Sequence, residues 1–438
     1  MSAAARGREL GLRAMRALAS SPTLDRLGAR KAAERAIYRA SKGGFQAVAG
    51  AGRTFAAARK LRSPARQPVA GKRSMFDLTP SAEQEMLVEA IGDFAGSAMR
   101  PAAGQADAEL RTPPELLAQG VELGLFALAI PEELGGVMEE RSAVTAALAY
   151  EALGRGDMGI ALAILAPAAV ATALSLWGDA EQQSRYLEPF AGEQPPAGAL
   201  ALLEDAPLFD PLAPTTRARR QGADWLLDGE KALVPRAAEG ELFVVGAQTP
   251  SGSPGLFIIE GGSGGLSAQA QPAMGLRAAA TARLRLEEVR VPASALLAEG
   301  DPAAYRECVQ RARIAWCALS VGVAQAVRDY VIPYVKERVA FGEPIANRQA
   351  VAFAVADIAV ELEGMRLATW RAASRADAGS EFAREAALAR ALCARHGMRI
   401  GAEGVQLLGG HGYVKEHPVE RWYRDLRAAG LLEGALLV

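Results

Sequence analysis

The hydrophobic period of this chain changes near Pro195 and changes back near Asp301, and that double switch limits the possible folds more than any other feature. Before Pro195, apolar residues recur at helical spacing through Leu87, Ile91 and Phe94, over Leu116–Leu125, and from Val144 to Leu187. Between the two switches the apolar runs are short, as in Leu226–Lys231, Leu242–Val245, Leu256–Ile259 and Leu284–Leu286. Gly, Pro and Asp turns separate them, the pattern of an antiparallel β-domain. Beyond Asp301 the helical period holds as far as Gly409-Gly410. An α+β protein is therefore expected, with a helical domain over 75–195, a β-domain over 196–300 and a second helical domain over 301–438.

Local signals refine this. Ser81 and Gln84 stand at capping-box spacing at the head of the first helix. Ala129-Ile130-Pro131-Glu132-Glu133-Leu134-Gly135-Gly136 breaks the helical pattern. The uncharged run Met158–Gly178 is long enough to span a bilayer, but it is Ala-rich and interrupted by Pro167, Thr172 and Ser175, so a buried core helix is expected. Cys308, Cys317 and Cys393 lack metal-type spacing and are odd in number, which points to a reducing compartment rather than a disulfide framework. Three histidines make a zinc or iron site improbable. No G-x-G-x-x-G follows a strand, so a Rossmann site is not indicated.

The net charge of −1 hides a split: residues 1–75 carry 17 Lys/Arg and 3 Asp/Glu, a balance of +14, on a body of −15. Within 1–74 a helix could run from Ser21 to Ser41, and Arg62–Ser74 reads as a linker. Three readings of this basic arm stay open: an organelle transit segment, a membrane-surface or partner-binding arm, and a solvated extension.

Four pieces of the last third stand in register. They are Arg338-Val339-Ala340-Phe341-Gly342, then Gln349, then Gln406-Leu407-Leu408-Gly409-Gly410-His411-Gly412-Tyr413, then Arg424-Asp425 nine residues before Glu433. In this order and spacing they resemble the acyl-CoA dehydrogenase family of flavoproteins. The resemblance spans residues 76–438 and includes Ile130-Pro131-Glu132 to Gly136. It implies a helical domain, a central β-domain and a C-terminal four-helix bundle. It also implies FAD, an acyl-CoA substrate, an electron-transfer flavoprotein or similar acceptor, and a homodimer or homotetramer. No nucleic-acid partner is implied, and the expected location is the bacterial cytoplasm or, in a eukaryote, the mitochondrial matrix; membrane contact would come only through residues 1–74.

By the same resemblance Glu433 is the base that takes the α-proton of the thioester. Leu431 and Leu432 beside it would exclude water, and desolvation would raise its pKa. The position used for the base by a minority of the family is Ala312 here, which cannot serve. Arg313 falls where the family has an arginine on the acyl-CoA channel, although its usual carboxylate companion is Gln310. Arg338 would meet the FAD pyrophosphate, Phe341 and Gln349 would flank the ADP portion, and Gln406, Gly409 and Gly410 would let backbone approach it. The β-domain departs from the pattern. Only Glu204 and Asp210 survive of one flavin-side motif, while Leu233, Val234 and Pro235 stand where relatives have Trp-Ile-Thr, leaving backbone groups around Val234 and Pro235 to hold the ring. The family's final helix is also missing after Glu433-Gly434-Ala435. A non-catalytic scaffold or acyl-CoA-binding partner is therefore the alternative to a working dehydrogenase.

Overall fold

Ser81 starts the described helices as expected. Its hydroxyl accepts from the Gln84 amide at 3.2 Å, while the Gln84 side chain accepts from the Ser81 amide at 2.9 Å. The computed structural model describes residues 79–134, 136, 141–192 and 194–438. The basic arm, with its expected helix from Ser21 to Ser41, lies outside them. Helix α1 (Ala82–Phe94) passes through one π-turn (Ala95–Met99) into α2 (Arg100–Glu109), and α3 (Pro114–Glu122) precedes the Pro131 break. Helices α4 (Ala143–Gly154), α5 (Met158–Trp177) and α6 (Ala180–Tyr186) follow.

Helix α5 is the run of bilayer length, with mean hydropathy 2.1, and 89% of it is buried inside the protein. A helix apolar on all sides must be covered on all sides. Here α4 and the sheet share that task with the first half of the longest helix, α7 (Pro302–Glu337). Helix α4 crosses α7 at unusually short range. A Cβ on Gly322 would lie 2.1 Å from the Glu151 carbonyl oxygen, and one on Gly154 would lie 2.4 Å from that of Leu319. Two glycines facing one another are what lets the two backbones approach.

Seven strands form the middle sheet: β1 (Gly198–Ala201), β2 (Arg217–Gln221), β3 (Asp224–Val234), β4 (Leu242–Gln248), β5 (Pro254–Glu260), β6 (Leu266–Ala270) and β7 (Ala282–Val291). Their order is β1-β4-β2-β3-β7-β6, with β5 also on β4. Most pairs are antiparallel, as the short runs suggest, but β4 lies parallel to β1, from Gly198 opposite Leu242 to Ala201 opposite Val245, and to the start of β2, with Arg217 opposite Gln248. Parallel neighbours need a long connection, and the β2–β3 hairpin between them supplies it. Strands β1 and β4 are also where α5 packs, so both faces of this edge are buried.

After α7 a two-residue hairpin, β8 (Val339–Ala340) with β9 (Glu343–Pro344), turns the chain into α8 (Gln349–Asp377) and α9 (Ala383–Leu408). Helices α7, α8 and α9 pack against one another, α4 lies on α7 and α8, and short α10 (Val419–Leu426) closes on α9. The bundle is thus shared with the N-terminal helices, because α4 has no polar face to give to water. After α11 (Ala428–Leu431) the chain turns inward: Leu436, Leu437 and Val438 are fully buried.

Candidate active site

Glu433 sits just past α11, where Leu432 leaves helical geometry and Gly434 takes a φ of 72° that favours glycine. Its side chain is 6% exposed, and it lies among charges rather than bare apolar walls. Arg313 of α7 reaches it with Nε at 3.2 and 3.1 Å from Oε1 and Oε2 and with Nη2 at 2.8 Å from Oε1. Arg390 of α9 adds a second guanidinium, with Nη2 2.9 Å from Oε1, while its Nη1 donates to the Leu432 carbonyl at 2.9 Å. Oε1 therefore carries most of the contacts and Oε2 only the one to Arg313 Nε. Of the two leucines expected to exclude water, Leu432 is buried but Leu431 is 55% exposed.

The backbone around Glu433 is fixed from three sides. Trp316 Nε1 donates to Gly434 O at 2.8 Å, and the Ala435 amide donates to Leu200 O of β1 at 3.0 Å. Farther along, Tyr150 Oη donates to Leu437 O at 2.8 Å and Arg311 Nη1 to Val438 O at 3.1 Å. Ala312 is fully buried beside Arg313.

Arg424 and Asp425 have separate duties. Arg424 grips Asp107 of α2 through both nitrogens, at 2.9 and 3.1 Å, and also binds Glu420 and the Met274 carbonyl. Asp425 is fully enclosed and accepts the Leu276 amide at 2.6 Å. Burial, reinforced by nearby Asp157, pushes its carboxyl up to about 8 against the pull of Arg424 and Arg421. Asp157 pairs with Arg421 at 3.0 Å and caps α5 through the Ile160 amide.

The residues expected at the adenine-nucleotide end converge. Arg338, Phe341, Gln406, Gly409 and Gly410 line one open cleft of about 860 Å³, with Tyr334, Arg348 and Glu403. Gln349 is exposed at the first turn of α8 and is not among the lining residues, although Arg348 and Ala350 are. Among the described residues Arg338 has no ion-pair or hydrogen-bond partner for its guanidinium. A Cβ built on Gly342, Gly409 or Gly410 would meet nothing within 4 Å. A free cation and open glycine backbone fit a pyrophosphate. Phe341 is 96% exposed, an apolar ring lacking cover in one chain.

At the β-domain end, Leu233 lines a small apolar crevice of about 90 Å³ with Met274, Leu276, Ala428, Leu431 and Leu432. Val234 and Pro235 are buried behind it. The crevice shares no lining residue with the larger cleft. Two residues before Leu233, β3 also carries a buried ion pair. Lys231 Nζ is 2.7 Å from Glu204 Oε1, and the carboxylate also accepts from the amides and hydroxyls of Thr215 and Thr216 at 2.6–2.9 Å. Burial pushes Glu204 up, but Lys231 and the two threonines outweigh it and hold the carboxyl down at about 2. Asp210 is not part of this pair; among the described residues its carboxylate accepts the Leu212 amide.

All three parts of the chain match one family: the acyl-CoA dehydrogenase N-terminal domain over residues 81–194, the middle domain over 199–289 and the C-terminal domain over 303–436. The chain belongs to the acyl-CoA dehydrogenase family. It is 35% identical over 360 residues to the mitochondrial short-chain specific acyl-CoA dehydrogenase of Bos taurus, covering 80% of this chain and 86% of that one. Its fold is similar to that of butyryl-CoA dehydrogenase from Megasphaera elsdenii, with a TM-score of 0.76, 27% identity, and 82% and 96% of the two chains covered. It is also similar to a Mycobacterium smegmatis glutaryl-CoA dehydrogenase in complex with FADH2, with a TM-score of 0.73, 26% identity, and 80% and 90% covered. The protein is thus a flavoprotein oxidoreductase of the acyl-CoA dehydrogenase type, and its cofactor is FAD.

Sequence reasoning missed Arg390. The available signal was an arginine on the same helical face as Ala386, Ala389 and Cys393, all buried; a cation among small core residues needs a buried anion. Trp316, Tyr150 and Arg311, which hold the backbone beyond Glu433, left no comparable signal.

Proposed function

We propose that this protein oxidises an acyl-CoA thioester to its 2,3-enoyl form, with Glu433 as the base that takes the α-proton. The observation that carries the reading is a buried carboxylate fixed from α7 and α9, with one oxygen, Oε2, nearly uncommitted. Bound FAD supplies the hydride acceptor. Arg313 and Arg390 hold the carboxylate in one orientation, and Arg313 can also meet a substrate oxygen when it releases Glu433, the channel role its position implies. Arg338 offers the pyrophosphate its charge, and Gln406, Gly409 and Gly410 offer backbone on the ADP side, with Phe341 and Gln349 flanking. Leu233, Val234 and Pro235 provide an apolar wall with few donors, so the ring is held less by side-chain hydrogen bonds than by packing.

The nucleotide cleft and the ring crevice share no residue within one chain. Phe341, Tyr413, Phe353 and Val360 leave apolar surface exposed near and beyond the cleft. Both features support a dimer or tetramer in which one subunit's cleft serves its neighbour's flavin. An electron-transfer flavoprotein is the proposed acceptor.

A second reading, a non-catalytic acyl-CoA-binding relative, is favoured by Pro235 and Leu233 at the ring and by the double guanidinium grip on Glu433. One experiment separates the two. The purified protein is titrated anaerobically with butyryl-CoA while its visible flavin absorption is followed. Bleaching supports the dehydrogenase; a protein that holds flavin and binds the thioester without bleaching is the scaffold.

A further inference from the structure

The chain beyond Glu433 runs into the interior instead of out to solvent. The side chains of Leu436, Leu437 and Val438 are fully buried. Leu437 lies in one apolar cluster with Ala168 and Ala169 of α5, Leu202 after β1, and Tyr305, Val309 and Ala312 of α7. The three α7 residues stand at i, i+4 and i+7, so they form one face. The α5 side of this cluster is built largely of alanines.

We infer that residues 435–438 form the floor of the acyl site and limit this protein to short acyl groups, an inference that rests on Glu433 being the base. A base that removes the α-proton puts Cα at its carboxylate. The carbons beyond Cβ then need an apolar volume bordering that carboxylate. Two of its sides are taken by the guanidiniums of Arg313 and Arg390. Gly434–Val438 continue from the same carboxylate into buried, apolar surroundings, and Ala312, next to Arg313, belongs to the same buried cluster as Leu437.

This segment is anchored as well as buried. Four successive holds, from Trp316, Leu200, Tyr150 and Arg311, fix the backbone of Gly434, Ala435, Leu437 and Val438. A longer acyl chain must break these holds, whereas a short one stops before Leu437. Tyr305, whose Oη has no hydrogen-bond partner among the described residues, belongs to the same cluster.

Calorimetric titration of the flavin-loaded protein with butyryl-, octanoyl- and palmitoyl-CoA tests this. The native protein is expected to bind butyryl-CoA at least about tenfold more tightly than octanoyl-CoA, the scale of a few methylenes that find no room. Leu437→Ala should raise the octanoyl-to-butyryl affinity ratio about tenfold, and Leu437→Phe should lower it. Equal or tighter octanoyl binding by the native protein overturns the inference, as does an unchanged ratio in a folded Leu437→Ala variant. Should both variants fail to fold, the native chain-length series decides alone. Length-limited binding without flavin bleaching removes Glu433 as the base but leaves the floor standing. Bleaching with length-independent binding does the reverse, and no binding of any acyl-CoA removes both.

Discussion

Replacing Glu433 by Gln keeps the volume and one hydrogen-bonding oxygen but removes both the base and the counter-ion of two arginines. The chemical consequence is a loss of roughly 100-fold or more in substrate-driven flavin reduction, the scale of losing a positioned general base. The structural consequence is larger than an isosteric change suggests. Arg313 and Arg390 are 25% and 16% exposed and would face a neutral amide. Breaking a buried pair costs about 3–5 kcal/mol, and the amide oxygen can still accept one bond, so about 3 kcal/mol is expected. With an unfolding entropy of about 2.1 cal/mol/K per residue over about 360 residues, that lowers Tm by roughly 4 °C. Adding Arg390→Gln to Glu433→Gln should cost less than the two single changes together, since the second arginine no longer loses a partner. Anaerobic rapid mixing with butyryl-CoA and a thermal melt measure the two effects. Flavin reduction at the parent rate would refute Glu433 as the base, and an unchanged Tm would refute the role given to the arginine pair.

Arg338→Ala should lower flavin content after gel filtration without changing the fold, since its guanidinium pairs with nothing among the described residues; full occupancy would move the pyrophosphate elsewhere. Glu204 makes stability depend on pH in acid. Its folded pKa of about 2 lies below the ordinary 4.5, so its contribution is present above about pH 4.5 and lost as pH falls towards 2. That contribution is about 3 kcal/mol, and Lys231→Met should abolish most of it; a denaturant series from pH 6 to pH 2.5 with equal slopes for both proteins would contradict the pairing. Gly322→Ala should destabilise by at least about 1–3 kcal/mol, because the new methyl meets the Glu151 carbonyl and nothing flexible can yield. Gly364→Ala, exposed on α8 with no atom within 4 Å, should instead stabilise by about 0.5–1 kcal/mol; the same sign for both in thermal melts would undo the close-crossing argument.

Much of this protein is legible in one dimension because the relevant physics is local. The period of the apolar residues placed the helices on either side of a sheet, and Ser81 with Gln84 capped α1 as their spacing requires. The uncharged, Ala-rich composition of Met158–Trp177, with Pro167, Thr172 and Ser175 inside it, was enough to make it a core helix. The motifs around Arg338 and Gln406–Gly410 were also readable, and they meet in one cleft because both lie at helix ends that fold back together. The parallel pairing of β1 with β4 was not readable, because short apolar runs look alike whatever direction their neighbour takes.

What tertiary structure alone decided is the environment of Glu433. Its number and its flanking leucines suggested a desolvated carboxylate. The fold instead brought Arg313 from 120 residues away and Arg390 from α9 to the same carboxylate. It also turned Ala435–Val438 inward, held by Tyr150 of α4, Trp316 and Arg311 of α7, and Leu200 of β1. Neither result could be drawn from sequence spacing, because each depends on which helices lie side by side. A periodic pattern reports which face of an element is apolar; it does not report which face of another element will cover it.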